Sequence, residues 1–222
     1  VVDQSQYQDI ATATVNMPLM LKNITSTALG DTTGNNAVIG EEITYTVTLK
    51  VPEGQMTNVI ATDVLDACLA LTNLVSLNAT SGITSSQGSM ATVLSNAQVQ
   101  SVGAGPANAA RRIILDYGTL TNTNRDNSTD DIITLIYRAI PINASNCLNT
   151  NTRRNAITLE WNTAPNAQQL VTLSPLVTIR EPSISVNKTF TPSSGDSATA
   201  TRVRITVTAG SAPRSPAYNV AL

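Results

Sequence analysis

Histidine is absent from these 222 residues. Its absence removes the commonest general base and the commonest metal ligand. Aromatic residues make up only 3% of the chain, with one Trp and one Phe. Few platforms remain for stacking a sugar or a base. Charged residues are also sparse, at 13%, and the formal net charge is −2. No basic run interleaves with aromatics, so no nucleic-acid partner is expected. No apolar run approaches the roughly 18 residues of a membrane-spanning helix, so no membrane span is expected. The chain opens without an initiator Met or a signal peptide. "VVDQSQYQDIATATV" reads as mid-chain sequence, and a mature or trimmed fragment is expected. There is no G-x-S-x-G and no P-loop, and "GAGPAN" (103–108) has no helical pattern after it. No enzyme, cofactor or metal site is expected.

Cysteine occurs twice, at Cys68 and Cys147. Two cysteines without histidine cannot complete a four-ligand zinc site. Two readings remain: a pair of free buried thiols, or a disulfide. The disulfide would close a loop of about 80 residues, contribute about 4–5 kcal/mol on the chain-entropy model, and require an oxidising compartment.

What the chain does have is alternation. In "EEITYTVTLKV", Ile43, Tyr45, Val47 and Leu49 share one face, and Thr44, Thr46 and Thr48 share the other. Val59, Ala61 and Leu65 recur in the same way, as do Ile113, Leu115 and Tyr117, and Ile157, Leu159 and Trp161. "DIITLIYRA" is apolar on both sides and reads as a central strand. Further strands are expected at 71–78, 92–102 and 168–180. Turn-rich segments such as "GDTTGNN", "TSGITSSQGS" and "NTNRDNSTDD" separate them. Many short alternating strands predict an all-β fold, an antiparallel β-sandwich.

An internal repeat is also visible. "PLMLKNIT" (18–25) resembles "PSISVNKTF" (182–190), with Lys22 matching Lys188. "ITYTVTLKV" from Ile43 aligns without gaps to "VRITVTAGS" from Val203. The expected organisation is therefore a tandem array. Residues 1–17 are a linker or the tail strand of a preceding unit. Residues 18–181 form a complete sandwich. Residues 182–222 form the first strands of a following, incomplete unit. Half a sandwich cannot bury its own apolar face, so that last part needs further sequence or a neighbouring chain.

The ordered segments "GEEITYTVTL", "NVIATDVLD", "LDYGTL", "DIITLIYRA" and "RRNAITLEW", after Lys22, resemble the conserved-repeat immunoglobulin-like domains of microbial surface proteins. They also resemble the isopeptide-forming immunoglobulin-like domains of fimbrial shaft proteins. The likeness covers 18–180 fully and 182–222 in part. One departure is clear: the proline usual after the "D-x-L" corner is replaced by Asp66.

The resemblance implies an amide bond between a first-strand Lys and a last-strand Asn, assisted by an acid. The matching positions are Lys22 and Asn155, with Asp63 or Asp131 assisting. Strand parity agrees. Lys22 shares its face with Met20 and Ile24, and Asn155 with Ile157, Leu159 and Trp161. Asp63 shares its face with Val59 and Ala61, and Asp131 with Ile133, Leu135 and Tyr137. Burial lowers a lysine pKa and makes its neutral amine a nucleophile. Two other readings stand beside this one. Lys22 either snorkels to water, or joins a non-covalent network with the Asp and the Asn.

Sequons stand at Asn23, Asn78, Asn127, Asn143 and Asn187, possible glycosylation sites. Parity turns Asn23 and Asn187 away from Lys22 and Lys188. "NRDNSTDD" (124–131) carries oxygens but lacks the spacing of an EF-hand loop. The function expected is a structural subunit of an extracellular filament, fimbria-like appendage or surface stalk. It would polymerise with its own kind through neighbouring units or strand complementation. The rival is an adhesin or carbohydrate-binding module, for which the tyrosines are almost the only aromatic platform.

Overall fold

A computed structural model describes residues 16–29, 32, 34–101, 110–126, 128–144, 147–148, 150–163, 166–181 and 184–210. Most of the expected 1–17 tail, the 103–108 loop, Asn127 and the 211–222 end lie outside the described residues.

Strands β1 (Leu19–Thr27), β2 (Asn36–Val38), β3 (Ile43–Lys50), β4 (Gly54–Val64), β5 (Leu69–Ala79) and β6 (Ile83–Ser85) come first. A short helix, α1 (Met90–Ser95), leads to β7 (Gln98–Ser101), β8 (Ala110–Asn122), β9 (Ile132–Pro141) and β10 (Thr152–Arg153). Next are β11 (Ala156–Thr163), β12 (Asn166–Leu173) and β13 (Val177–Arg180), then β14 (Ile184–Thr191) and β15 (Arg202–Ala209).

Two antiparallel sheets make the immunoglobulin-like sandwich. One has the order β1-β3-β9-β5, and the other β12-β11-β4-β8-β6, with β7 also on β8. Period-two sequence explains both, because each sheet turns one face to the core and one to water. In β3, Ile43, Tyr45, Val47 and Leu49 are buried, while Thr44, Thr46 and Thr48 are half-buried. Met20, Val47, Leu49, Ile133 and Leu135 of the first sheet meet Ala61, Leu115, Ile157 and Leu159 of the second in one core. A small third sheet, β10-β13-β2, pairs β13 with β2 in parallel. Beside it Cys68, Cys147 and Ile179 form a second, smaller core.

Two expected strands change. The segment 92–102 is not one strand: Met90–Ser95 is helical, and only Gln98–Ser101 pairs. Ser89 caps that helix by accepting from the Thr92 amide at 3.2 Å, and Val93 is buried. The segment 168–180 is split into β12 and β13 around Pro175, which has no N–H for a ladder.

In β8, Gly118 sits at φ +60°, and a Cβ there would lie 2.3 Å from Ser86 Oγ. That oxygen already accepts from the Thr119 amide at 2.8 Å. Gly118→Ala should cost about 1–3 kcal/mol from backbone strain and the displaced hydrogen bond. The midpoint of urea unfolding would read this as a fall, and an unchanged midpoint would refute it.

β14 and β15 pair as a two-stranded hairpin, and every residue of both strands is exposed. The ladder refines the repeat. Lys22 stands opposite Val47, and Lys188 opposite Ile205. Val47 and Ile205 are thus ladder equivalents, two residues away from the gap-free sequence match. Ile184, Val186 and Phe190, with Val203, Ile205 and Val207, are all 40–60% exposed. Alternation in "ISVNKTF" puts Phe190 on one face with Ile184 and Val186, a face expected to be buried, yet the ring is 49% exposed. No sheet among the described residues covers it, and Lys188 Nζ lies over its ring, 5.1 Å from the centroid.

Candidate cross-link site

Three polar residues predicted on inner faces meet inside the sandwich. Lys22 is 3% exposed, Asp63 1% and Asn155 0%. β1 carries Lys22 inward between Met20 and Ile24. β4 carries Asp63 inward, directly opposite Ile157 of β11. Asn155 precedes β11, two residues before Ile157, and so lies diagonal to Asp63 on the same face. Its backbone is held from both sides. The Asn155 amide donates to Ser174 Oγ at 3.0 Å, and the Ser174 amide donates to the Asn155 carbonyl at 2.8 Å.

Lys22 Nζ donates to both oxygens of Asp63 at 2.6 Å. The side chains of Tyr137 and Asn155 also stand close enough to Asp63 to favour its charged form. Asn155 Nδ2 donates to Tyr137 Oη at 2.6 Å, while Asn155 Oδ1 has no partner among the described residues. Tyr45 and Tyr137 stack with centroids 5.2 Å apart. Lys22 Nζ lies 5.6 Å and 5.4 Å from their respective centroids. The lysine is therefore enclosed by two aromatic rings and one carboxylate, with no route to water.

The electrostatics follow from burial. Desolvation lowers the Lys22 pKa to about 8, although Asp63 pulls it back up. Desolvation raises the Asp63 pKa, opposed by Lys22, Tyr137 and Asn155. Both shifts favour the neutral pair, an amine beside a carboxylic acid. Tyr137 is also pushed well above its ordinary range, first by burial and then by Asp63.

Asp131 does not join this group. It accepts from Asn122 Nδ2 at 3.0 Å and from Asn124 Nδ2 at 2.8 Å, at the start of β9. Asp66, in place of the usual proline, accepts from the Cys68 amide at 2.9 Å and so shapes the corner before that cysteine. Cys68 and Cys147 are bonded to each other, and both are 0% exposed. Asn23, Asn78, Asn143 and Asn187 are all exposed. Tyr45 and Tyr137 were missed as parts of the site. Their inward parity was visible in "ITYTV" and "LIYRA", but nothing in the sequence set their height along the strands.

No family model matches the chain, and no curated protein matches it by sequence. Solved structures do. The chain is similar to BcpA, the major pilin subunit of Bacillus cereus, at 12% identity and TM-score 0.48. That match covers 77% of this chain and 42% of BcpA. It is similar to the full-length major pilin SpaD of Corynebacterium diphtheriae at 14% identity and TM-score 0.42, over 77% of this chain and 36% of SpaD. It is also similar to a 35 kDa C-terminal fragment of the Streptococcus agalactiae major pilin GBS80. There the identity is 13% and the TM-score 0.48, over 77% of this chain and 58% of the fragment. The chain spans less than half the length of BcpA and SpaD. At these identities the likeness concerns the fold.

No helix among the described residues is long and apolar enough to cross a membrane. The three tyrosines among them, Tyr45, Tyr117 and Tyr137, are all buried. Among the described residues the tyrosines therefore offer no surface platform for a carbohydrate, and the exposed aromatic ring is that of Phe190.

Proposed function

We propose that the chain is a structural subunit of an extracellular, pilus-like filament or stalk, and that Lys22 and Asn155 join through an amide bond. The observation that carries this reading is the dry Lys22–Asp63–Asn155 cluster. A buried ion pair is weak support for stability, because desolvation offsets much of the attraction. Three polar residues converging in an apolar core need another reason, and covalent chemistry supplies one.

The reaction balances without any cofactor. Asp63 takes a proton from the Lys22 ammonium. The neutral amine attacks Asn155 Cγ, the Nζ–Cγ bond forms, the Cγ–Nδ2 bond breaks, and ammonia leaves. The spare proton stays on Asp63. The product removes a buried charge.

Mechanically, the bond ties β1 to the start of β11. Tension entering before Lys22 and leaving after Asn155 then passes through the amide, and about 130 residues between them carry none. The hairpin β14–β15 repeats β1–β3 in order and ladder and leaves its apolar face open. A sheet from a neighbouring unit or chain covering that face would make the protein a link in a series, as strand addition does elsewhere.

The test is the intact mass of the purified protein under denaturing, reducing conditions. The expected value is about 17 Da, one ammonia, below the sequence mass, with fragments joining Lys22 to Asn155. A mass equal to the sequence mass refutes the bond.

A further inference from the structure

The leaving nitrogen poses a problem that Asp63 alone does not solve. An amide is a poor leaving group until its nitrogen is protonated, and Lys22, Asp63 and Asn155 are all buried away from bulk solvent. We propose that Tyr137 is a catalytic residue of the cross-linking reaction, delivering to Asn155 Nδ2 the proton that lets ammonia depart. This rests on the Lys22–Asn155 bond proposed above and adds a named proton path to it.

The geometry is specific. Tyr137 Oη lies 2.6 Å from Asn155 Nδ2, the atom that departs. The charge of Asp63, the group that receives the lysine proton, acts on the same hydroxyl and helps to push its pKa up. A hydroxyl has one proton and can also accept. In the ground state it accepts from the carboxamide N–H, which leaves its own proton free to turn to Asp63. In the tetrahedral intermediate Nδ2 loses its conjugation and becomes basic. The direction then reverses. Asp63 passes the Lys22 proton to Tyr137 Oη as Tyr137 gives its own to Nδ2. Lys22 Nζ, now bonded to Cγ, returns a second proton to Asp63. The products are one amide, one ammonia and a neutral Asp63, with every proton accounted for.

The ring is held for this task. Tyr137 stacks on Tyr45, directly opposite it in the β3–β9 ladder, and is 0% exposed. Tyr45 Oη has no partner among the described residues, whereas Tyr137 Oη accepts from Asn155 Nδ2. The two rings are alike in burial and different in connection.

The experiment follows cell-free synthesis of the whole chain by intact mass over time, reading the fraction that has lost 17 Da. Tyr137→Phe keeps the stacked ring and removes the hydroxyl. It should slow the mass loss at least about tenfold, since a positioned acid or base typically supplies a factor of 10²–10⁴. Tyr117→Phe removes a buried hydroxyl elsewhere in the core and should react like the parent. Incorporating 3-fluorotyrosine at position 137 keeps the shape and makes the phenol more acidic. It should change the rate, and it decides the matter if Tyr137→Phe does not fold. If the parent loses 17 Da and both position-137 variants match its rate, the role of Tyr137 is overturned while the bond stands. If the parent never loses 17 Da, the bond and the role fall together.

Discussion

Asp63→Asn should leave the chain at its sequence mass and weaken it by roughly 5 kcal/mol or more at neutral pH. Two effects add. A cross-link closing a loop of about 130 residues contributes about 5 kcal/mol on the chain-entropy model, and the variant lacks it. It also keeps Lys22 enclosed between Tyr45 and Tyr137 with no counter-charge. Removing one member of a buried pair commonly costs about 3–5 kcal/mol. Denaturant unfolding beside intact mass would measure both. An Asp63→Asn protein that loses 17 Da and unfolds like the parent would sink the assignment.

The pH dependence separates the two effects. In the unbonded chain, burial holds Lys22 down to about 8, from the ordinary 10.5. Between those values the unfolded state holds a proton that the folded state has released. Stability therefore rises with pH across this window. Without Asp63, which pulls the Lys22 pKa upward, the window extends further down. The bonded parent has no Lys22 ammonium and should show no slope from it. Lys22→Met should be unbonded and also free of that slope, because it removes the charge with the nucleophile. Unfolding free energies of the three proteins from pH 7 to 10.5 would show a rise only for Asp63→Asn.

The sequence showed the two facing sheets because each strand has one wet face and one dry face. That is why Lys22, Asp63 and Asn155 could be assigned inward before any coordinates. Parity gives a face but not a height. Asp131 has the same inward parity as Leu135, and Leu135 pairs with Val47, the residue opposite Lys22. Asp131 lies four residues from that level, roughly 13 Å along the strand at about 3.3 Å per residue. Tyr137 lies two residues the other way and reaches the site. The choice between the two carboxylates was thus a question of register, which depends on pairing across the whole sheet. The helix Met90–Ser95 was illegible for a different reason. Six residues are fewer than two turns, and with one buried side chain no 3.6-residue period can emerge. The strands of the third sheet run from two to four residues, too short for any alternation.

Replacing both cysteines, Cys68→Ala with Cys147→Ala, should lower stability by about 4–5 kcal/mol wherever Lys22 and Asn155 are not joined. The disulfide closes a sequence separation of 79 residues. It links the end of the β4 corner to the segment after β9, and with Ile179 it nearly fills the smaller core. In the bonded parent the same change should cost less, by roughly 1 kcal/mol. The disulfide loop is nested inside the Lys22–Asn155 loop, so the unfolded chain it constrains is already shortened. The two cross-links also differ under load. Residues 68 and 147 both lie between 22 and 155, so tension that passes through the amide bypasses the disulfide. Pulling the bonded parent from residues 18 and 181 should give the same extension with or without the cysteines. Pulling Lys22→Met should not: with the disulfide, the 79-residue loop stays closed, and without it the extension grows by roughly 260 Å at about 3.3 Å per residue. Single-molecule extension traces of the four proteins would read this directly. An equal gain in both backgrounds would mean that no amide shields the loop.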